Sequence, residues 1–483
     1  MTLIPEIVPN LIAGREFPAA SGAIAAKLDP ATGGPLCALA ASDAGDVDAA
    51  VKAAARAFAP WAATPPVQRG MVLHRVCQAL AARKEDVARV VAAETGKSFR
   101  DALGETEGTI ALGLFYAGEG QRLFGRTATS ATVGKHSMVV RQPVGVAGLI
   151  VAANTPIANA AWKVFPALIC GNAAVLKAAE DAPATAWLFG RILGEHLPAG
   201  VLNVIQGLGR EAGAPLAAHP GVGVVSFTGS TVVGREIAEV AGRRLAKVSL
   251  ELGGKNALVV CDDADLDKAV RWTALSAFSN AGQRCASASR VIVFDAVYDD
   301  FRNRLVKAAQ GLRLGTGDED DLGPVINRRS LDAMTRALGE AVDRGARVLA
   351  GGVPLDGPGC YMLPTVVEGV AASDPLSAAE LFGPIACLYR VADCAGALAL
   401  ANDSPYGLTA AIHTRDLDRA WTFAQGVETG VVNVNGGTYG SEPHMPFGGR
   451  KLSGNGAREP GPEGLDVYSE LKCISFYTDP EQA

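Results

Sequence analysis

The sequence lacks the features that mark a secreted, metal-binding or nucleic-acid-binding protein. Its nine cysteines are an odd number, widely scattered and without a C-x-x-C pair. This pattern argues against a disulfide framework or a zinc site and predicts reduced thiols in the cytoplasm, with no metal bound. The sequence also lacks an excess of positive charge, because its formal net charge is −6 and its pI is about 5.7. Nucleic acid is therefore not an expected partner.

Long uninterrupted apolar runs are missing as well. The first ten residues, MTLIPEIVPN, have no charged segment followed by an apolar one, so no secretory signal is predicted. The most apolar region, residues 144–176, is interrupted at Asn154, Pro156, Asn159, Lys163 and Asn172. Such interruptions are typical of a buried core and not of a membrane span, so we expect no membrane partner.

What the sequence does have is enough apolar material for more than one core. A chain of 483 residues with 49% hydrophobic residues and 56 glycines is typical of a compact, turn-rich protein of two or three domains. Helical periodicity predicts helices from an N-cap at Asp46 to residue 61, then over 66–83, 85–94 and 97–124. Residues 127–140 are polar and β-prone, which predicts a protruding hairpin.

From residue 145 the pattern changes to alternating strands and helices. Strands are predicted at 145–151, 173–177, 201–206, 223–227 and 247–252, with helices over 156–169, 183–195, 212–219 and 230–240 between them. This alternation predicts a parallel, doubly wound sheet whose ligand site lies at the carboxyl ends of its strands. A second α/β unit is predicted beyond residue 254, with helices at 265–278, 297–312 and 330–344, and a β-prone segment ends the chain.

The first candidate for chemistry is Cys285, in the small-residue segment NAGQRCASASR at 280–290. An apolar run at 291–294 follows, so the thiol is predicted on a loop just ahead of a buried strand. Amide dipoles of that loop and the cation Arg284 are expected to favour the thiolate, which is the reactive form. The alternative is that the cysteine serves as a small buried apolar residue.

Two further candidates lie at strand ends. Asn154, in the segment AANTP, can donate a hydrogen bond to a developing oxyanion, or it is a simple turn residue. Glu251 ends the strand KVSLEL beside two glycines. A carboxylate desolvated there suits a general base, whereas the alternative is a rim carboxylate paired with Lys255.

Other segments favour a nucleotide. The turn FTGS at 227–230 opens a helix whose free amides can hold a phosphate, although no G-x-G-x-x-G follows the first strand of the sheet. Lys177 ends another strand with Glu180 three residues on. Such a pair can bracket the two hydroxyls of a ribose, unless it is a solvent-exposed ion pair.

Taken in order, these segments resemble the aldehyde dehydrogenase family over nearly the whole chain. The matching pieces are PVGVAGLIVAANTP (143–156), ALICGNAAVLKAAE (167–180), FTGSTVVG (227–234), LELGGKN (250–256), GQRC (282–285), ELFGP (380–384), NDSPYGL (402–408) and PFGGRKLSGNG (446–456). The glutamate segment and the cysteine loop are highly specific as a pair, whereas short patterns such as PFGG are not.

The resemblance implies a mechanism. Cys285 would attack the aldehyde carbon, the Asn154 side chain and the Cys285 amide would hold the oxyanion, and Glu251 would activate the water that hydrolyses the thioester. NAD is the cofactor implied, preferred to NADP because the charge of Glu180 should repel a 2′-phosphate. The cofactor-binding residues implied are Lys177, Glu180, Gly209, Gly229, Ser230, Glu380 and Phe382.

The resemblance also implies a domain plan. Residues 1–124 and 144–254 would form the cofactor-binding domain, residues 255–452 the catalytic domain, and residues 125–143 and 453–483 the segments of a homodimer or homotetramer. The β-prone oligomer segments have no obvious partner nearby in sequence, and exposed strand edges are usually covered by another chain.

The pocket is expected to take a short polar aldehyde or semialdehyde, with Thr155, Asn159, Trp162, Arg284, Phe447 and the loop at 436–445 lining it. Arg284 can pair with a substrate carboxylate, or it points away and forms a structural salt bridge. Many family members carry tryptophan where this chain has Ala153, and a large apolar residue where it has Thr155. The substrate pocket therefore departs from the family pattern. Two alternatives stay open at this point: a coenzyme-A-acylating dehydrogenase, against which Glu251 argues, and a non-catalytic binding protein on the same scaffold.

Overall fold

The computed structural model describes residues 3–478. The strands are β1 (Ile7–Val8), β2 (Asn10–Ile12), β3 (Arg15–Phe17), β4 (Ile24–Leu28), β5 (Pro35–Ala40), β6 (Arg126–Ala128), β7 (Lys135–Pro143), β8 (Val146–Ile150), β9 (Ala173–Lys177), β10 (Leu202–Ile205), β11 (Val224–Thr228), β12 (Lys247–Glu251), β13 (Asn256–Val260), β14 (Ala288–Phe294), β15 (Arg347–Ala350), β16 (Thr365–Glu368), β17 (Ile385–Val391), β18 (Tyr406–Gly407), β19 (Thr409–His413), β20 (Val431–Val434), β21 (Arg450–Lys451) and β22 (Ser469–Tyr477).

The α-helices are α1 (Ala44–Ala63), α2 (Pro66–Ala81), α3 (Lys84–Thr95), α4 (Phe99–Glu119), α5 (Pro156–Ile169), α6 (Pro183–Gly194), α7 (Ala214–Ala218), α8 (Thr231–Gly242), α9 (Leu266–Phe278), α10 (Tyr298–Gln310), α11 (Arg328–Asp343), α12 (Pro375–Ala378), α13 (Cys394–Asn402), α14 (Leu417–Gly426) and α15 (Gly464–Val467). A π-helical turn spans Gly209–Gly213, and 3-10 turns span Ser279–Gly282 and Asp295–Val297. Within residues 3–478, no helix is both long and apolar enough to cross a bilayer.

The first large sheet has the strand order β12-β11-β8-β9-β10-β2-β3, and its strands from β12 to β10 run parallel. Alternate residues of β8 point to opposite faces, as a pleated strand requires. Val146 and Ile150 pack on one side with helices α1, α7 and α8, whereas Ala147 and Leu149 pack on the other with α2, α4, α5 and α6. The prediction of a doubly wound parallel sheet is confirmed.

The second large sheet has the order β15-β16-β17-β14-β13-β19-β20, parallel apart from β15. It also carries a core on each face, and consecutive residues of β13 contribute to opposite cores. Leu258 packs with helices α9 and α10, and Val259 with α11 and α13. The chain therefore folds as two α/β units, each with a sheet buried on both sides.

A third, antiparallel sheet has the order β22-β7-β6. The predicted hairpin is confirmed, and the C-terminal strand, for which the sequence showed no partner nearby, pairs with it from more than 300 positions away. Strand β22 pairs with β7 along its whole length, from Ser469 opposite Pro143 to Tyr477 opposite Lys135. Residues 479–483, which the oligomer prediction includes, lie outside the described residues.

Most predicted helices are confirmed to within a few residues, and α5 matches its prediction at both ends. The N-cap of α1 is Asp43 and not Asp46. Asp43 accepts hydrogen bonds from the amides of Gly45 and Asp46, and the Asp46 side chain accepts from the Asp43 amide in return, which is a capping box. The helix predicted over 97–124 is shorter, because Ser98 caps α4 and the helix ends at Glu119.

Candidate active site

A cavity of about 580 Å³ lies between the two large sheets. Its wall contains the three proposed catalytic residues, all five proposed substrate-pocket residues and part of the proposed cofactor set. The lining residues named in the sequence analysis are Asn154, Thr155, Asn159, Trp162, Gly229, Ser230, Glu251, Arg284, Cys285, Glu380, Phe382 and Phe447. The fold thus brings together residues that stand up to 293 positions apart (447 minus 154).

A short connection explains why Glu251 and Cys285 face the same space. Strand β12 ends at Glu251 and β13 begins at Asn256, so residues 252–255 carry the chain from the carboxyl edge of the first sheet to the amino edge of the second. Strand β14 lies beside β13, with Asn256 opposite Ala288. Cys285 stands just ahead of β14, and the Asn256 side chain donates to its carbonyl oxygen at 2.7 Å.

The cysteine loop has a backbone that only close packing can hold. Asn280, Ala281 and Gly282 have φ values of 55°, 53° and 66°, a left-handed run that is unfavourable for alanine. A Cβ at Gly282 would collide with the backbone of Gly383 and Pro384. Glycine is therefore required there, and this left-handed run ends three residues before Cys285.

Asn154 is fixed by contacts on both sides of its carboxamide. Its Nδ2 donates to the carbonyl oxygen of Gln283 at 2.8 Å, and its Oδ1 accepts from Asn159 Nδ2 at 3.1 Å. The second hydrogen on Nδ2 is left for another acceptor. Asn159, predicted only as a pocket residue, thus also orients the proposed oxyanion donor.

The thiol of Cys285 does not have the depressed pKa that the sequence suggested. Burial raises its pKa to about 12, and the carboxylates of Glu380 and Glu251 add to the effect. The amides of Cys285 and Ala286 act in the expected direction but are outweighed. Arg284 does not turn to the thiol, because its guanidinium donates to Ser279 Oγ and lies 4.7 Å from the ring centre of Tyr439.

Glu251 is a desolvated carboxylate. It is 5% exposed, and neither side-chain oxygen has a hydrogen-bond partner within residues 3–478. Burial raises its pKa well above the usual value, Glu459 adds to the shift, and Lys163 and Arg458 oppose it. No ion pair joins Glu251 to Lys255 among the described residues, so the alternative of a paired rim carboxylate is wrong.

Lys177 and Glu180 form the ion pair that the sequence suggested, with Nζ 3.0 Å from Oε2. The lysine is 2% exposed, so the pair is not a solvent-exposed one, and only the Glu180 side chain reaches solvent, at 38%. Burial raises the pKa of Glu180, but the charge and hydrogen bond of Lys177 outweigh it, and the pKa falls below its usual value. Glu180 is therefore a carboxylate at neutral pH.

The turn after β11 offers free donors at the same edge of the sheet. Ser230 caps α8 by accepting from the amide of Val233, while the amides of Thr231 and Val232 have no acceptor within residues 3–478. The Val232 side chain is 69% exposed. Gly209 opens the π-helical turn after strand β10, which β8 and β9 separate from β11 in the same sheet. Together these features make a surface suited to a phosphate and an apolar ring.

Glu380 and Phe382 enter the cavity from the amino edge of the second sheet. Glu380 Oε1 accepts from the amide of Gly254 at 3.0 Å, and burial raises its pKa to about 7. A Cβ at Gly254 would lie 2.5 Å from the carbonyl oxygen of Cys285, so this close approach requires glycine. Phe382 has a φ of 58°, another strained position at the site.

The substrate-pocket residues divide into an aromatic wall and polar groups. The rings of Trp162 and Phe447 meet edge to face with centroids 5.3 Å apart. Arg284 has no carboxylate partner within 4 Å among the described residues, so the alternative of a structural salt bridge is wrong. It is the one cation among the residues that line the cavity in the described part of the chain.

Sequence reasoning missed several residues that shape the site. Lys97 and Glu105 form a buried ion pair that touches the Asn154 loop, and Glu105 and Tyr439 line the cavity. The proposed pocket loop at 436–445 includes Tyr439, but nothing in its sequence singled that residue out. A lysine and a glutamate eight positions apart (105 minus 97) give no periodic signal, because they lie on different elements.

Comparison with known proteins agrees with this architecture. Residues 18–474 match the profile described as the aldehyde dehydrogenase family. The chain belongs to that family. It is an NAD(P)-dependent aldehyde dehydrogenase, which oxidises an aldehyde to a carboxylic acid.

Three relatives illustrate the similarity. The NADP-dependent succinate-semialdehyde dehydrogenase of Escherichia coli is 37% identical, with 96% of this chain and 97% of that one covered. The α-ketoglutaric semialdehyde dehydrogenase of Bacillus subtilis is 36% identical, with 90% of each covered. The crystal structure of betaine aldehyde dehydrogenase from Staphylococcus aureus in complex with NAD+ has a TM-score of 0.96 at 29% identity, with 98% of this chain and 95% of that one covered.

The pKa of Cys285 predicts how the free enzyme reacts with iodoacetamide. Because the pKa is raised to about 12, the thiolate is a small fraction at neutral pH and should grow about tenfold per pH unit. The alkylation rate of the Cys285 peptide, followed by mass spectrometry without cofactor, should rise from about pH 7 to about pH 9 without a plateau. A plateau below about pH 8 would contradict the burial argument.

Proposed function

We propose that this cavity carries out hydrolytic aldehyde oxidation, with Cys285 as nucleophile, Glu251 as general base and Asn154 as oxyanion donor. The observation that carries the proposal is the state of Glu251. Its carboxylate is buried, without a hydrogen-bond partner among residues 3–478, in the wall of the cavity that also holds the thiol. A desolvated carboxylate with a raised pKa is the form a general base takes near neutral pH.

The covalent steps follow from the groups present. Cys285 passes its proton to water and its sulfur bonds to the aldehyde carbon, whose oxygen becomes an oxyanion. The Cys285 amide, which has no acceptor within residues 3–478, and the free Nδ2 hydrogen of Asn154 are the donors for that oxyanion. Loss of hydride from the carbon leaves a thioester. Glu251 then takes a proton from water, the hydroxide adds to the thioester, and the sulfur leaves with the carboxylic acid released.

The carboxyl edge of the first sheet fits a dinucleotide, which accepts the hydride when bound. Lys177 and Glu180 stand at the end of β9 to bind a ribose, and Gly209, Gly229 and Ser230 follow β10 and β11 beside the free helix amides. Glu380 and Phe382 line the cavity that also holds the thiol, and they would bind the nicotinamide end of the dinucleotide. We assign residues 1–124 and 144–254 to the cofactor-binding domain and 255–452 to the catalytic domain on this basis.

The Glu251→Gln variant tests the division of labour between base and nucleophile. Glutamine fills the same volume but cannot take a proton, so thioester hydrolysis should slow far more than hydride transfer. In a stopped-flow experiment the variant should release about one equivalent of reduced cofactor and then nearly stop.

Cys285→Ser is the control, because a hydroxyl is a much weaker nucleophile and should give no burst. Equal slowing of burst and steady state in Glu251→Gln would assign that residue another role. If Cys285→Ser keeps more than about a tenth of the wild-type rate, the loss is under ~1.4 kcal/mol. That result would contradict the covalent mechanism.

We propose that NAD is preferred to NADP. Glu180 is anionic and half-exposed, so it can accept from the 2′-hydroxyl and repels a 2′-phosphate, while Lys177 acts in the opposite direction. The relatives include an NADP-dependent enzyme and one crystallised with NAD+.

The ratio of kcat/KM for NAD to that for NADP measures this preference. Glu180→Gln should lower the ratio by about tenfold, which corresponds to ~1.4 kcal/mol. Glu239→Gln, an exposed carboxylate near the far end of α8, should leave it unchanged. A wild-type ratio below one would overturn the preference.

We propose a short polar aldehyde as substrate, with Arg284 as the partner of a substrate carboxylate. The guanidinium is held by Ser279 and Tyr439 in the cavity wall, and it has hydrogen-bond donors to spare. Asn159, Thr155 and Ser441 add polar groups. The relatives that act on semialdehydes support this class.

Comparing kcat/KM for succinic semialdehyde, glycolaldehyde and hexanal tests the substrate proposal. Both polar aldehydes should exceed hexanal, and Arg284→Gln should lower the value for succinic semialdehyde more than that for glycolaldehyde. Arg271→Gln, whose guanidinium lies over Trp272 outside the cavity lining, is the matched control. A tenfold advantage for hexanal, ~1.4 kcal/mol, would rule out the polar pocket.

We propose a homodimer or homotetramer assembled through the sheet β22-β7-β6, which comprises parts of 125–143 and 453–483. Strand β22 is an edge strand, and its Leu471, Phe476 and Tyr477 side chains are 64%, 53% and 71% exposed. Apolar groups on an open edge are usually covered by another chain. The nine free cysteines support the cytoplasm as the compartment.

Light scattering tests the assembly. Leu471→Glu should shift the molar mass toward the monomer, because a charge would be buried at the contact. Leu417→Glu is the control, since Leu417 is 80% exposed on α14, away from this sheet. An unchanged mass for Leu471→Glu would count against this interface.

A further inference from the structure

A buried ion pair lies next to the cavity and belongs to none of the proposed catalytic groups. Lys97 Nζ stands 2.7 Å from Glu105 Oε2, and the two side chains are 5% and 7% exposed. Lys97 lies between α3 and α4, and Glu105 lies in the second turn of α4. Burying two charges is costly unless further hydrogen bonds compensate, so the remaining partners of the pair indicate its role.

Those partners flank Asn154. Lys97 Nζ donates to the main-chain oxygen of Asn154 at 3.0 Å. Glu105 Oε1 accepts from the amides of Ile157 and Ala158 at 3.1 and 3.2 Å. Helix α5 has no side-chain cap of its own at Thr155, so Glu105 serves as its N-terminal acceptor from another helix. Lys97 therefore holds the backbone at Asn154, and Glu105 holds it at Ile157 and Ala158.

We propose that Lys97 and Glu105 are positioning residues that fix the oxyanion donor. This inference rests on the proposed role of Asn154. A donor contributes only if its nitrogen lies within hydrogen-bonding distance of the oxygen as negative charge develops there. The Asn154 side chain is oriented by Asn159 and Gln283, but those contacts set its direction only while the backbone beneath it stays in place.

The neutral pair Lys97→Met/Glu105→Gln removes the clamp without leaving one buried charge unpaired. The matched control is Lys84→Met/Glu107→Gln, which removes an exposed ion pair of 2.6 Å between α3 and α4. The rate of the first turnover is measured by stopped flow with succinic semialdehyde and with glycolaldehyde, together with KM for the aldehyde and the thermal midpoint. Asn154→Ala is measured alone and combined with the neutral pair.

The first-turnover rate of the neutral pair should fall at least tenfold with KM for the aldehyde changed by less than about threefold, and the control pair should stay near wild type. In the Asn154→Ala background the neutral pair should cause no further loss, because residues that act through one group are not additive. A lower thermal midpoint with an unchanged rate would make the pair structural only. A further full loss in the Asn154→Ala background would mean that it acts independently.

The same measurements distinguish a wrong assignment of Asn154 as oxyanion donor from a wrong positioning role of the ion pair. If Asn154→Ala alone keeps the wild-type rate, Asn154 is not the oxyanion donor and this inference falls with it. If Asn154→Ala is impaired and the neutral pair is not, the donor assignment stands and only the positioning role is overturned.

Discussion

The four residues between β12 and β13 set the geometry on which the rest of the site depends. They take the chain from the carboxyl edge of one sheet to the amino edge of the next. Because β14 runs parallel beside β13, with Asn256 opposite Ala288, the loop before β14 lies opposite the end of β12. Glu251 and Cys285 therefore meet across one cavity, and the close approach at Gly254 leaves no room for a side chain.

Burial in that cavity raises the pKa of both Glu251 and Cys285, and a buried lysine of the neighbouring core opposes part of the shift at Glu251. Desolvation and Glu459 raise the pKa of Glu251, while Lys163 opposes them. Lys163 pairs with Glu459 at 2.8 Å in the fully buried interior, and Ser226, Ser249 and Tyr468 also donate to Glu459. Glu251 itself lacks the hydrogen bonds that would hold its carboxylate ionised.

Much of the fold could be predicted from the sequence because parallel strands buried on both faces appear as short apolar runs between helices. Asn154, Glu251 and Cys285 could be proposed because each lies in a short segment at a strand end or strand start. The segment patterns of a known family then linked them. The alternation of strands and helices gave the sheet on which they lie.

Other features depend on contacts between distant segments, which local patterns do not show. Asp43 and not Asp46 begins α1, because the capping box needs both carboxylates and either looked suitable alone. The pairing of β22 with β7 joins residues more than 300 positions apart (469 minus 143). The pKa of Cys285 is another case: Arg284 is adjacent in sequence, but its guanidinium turns to Ser279 and Tyr439.

The central claim is that an acyl group forms on Cys285 and that Glu251 is needed to remove it. Intact-protein mass spectrometry of Glu251→Gln, after mixing with NAD and glycolaldehyde and quenching in acid, observes that intermediate directly. The protein mass should increase by that of the aldehyde less two hydrogens, with the label on the peptide that contains Cys285. An unmodified protein that has released reduced cofactor, or an acyl group on another residue, would contradict the account.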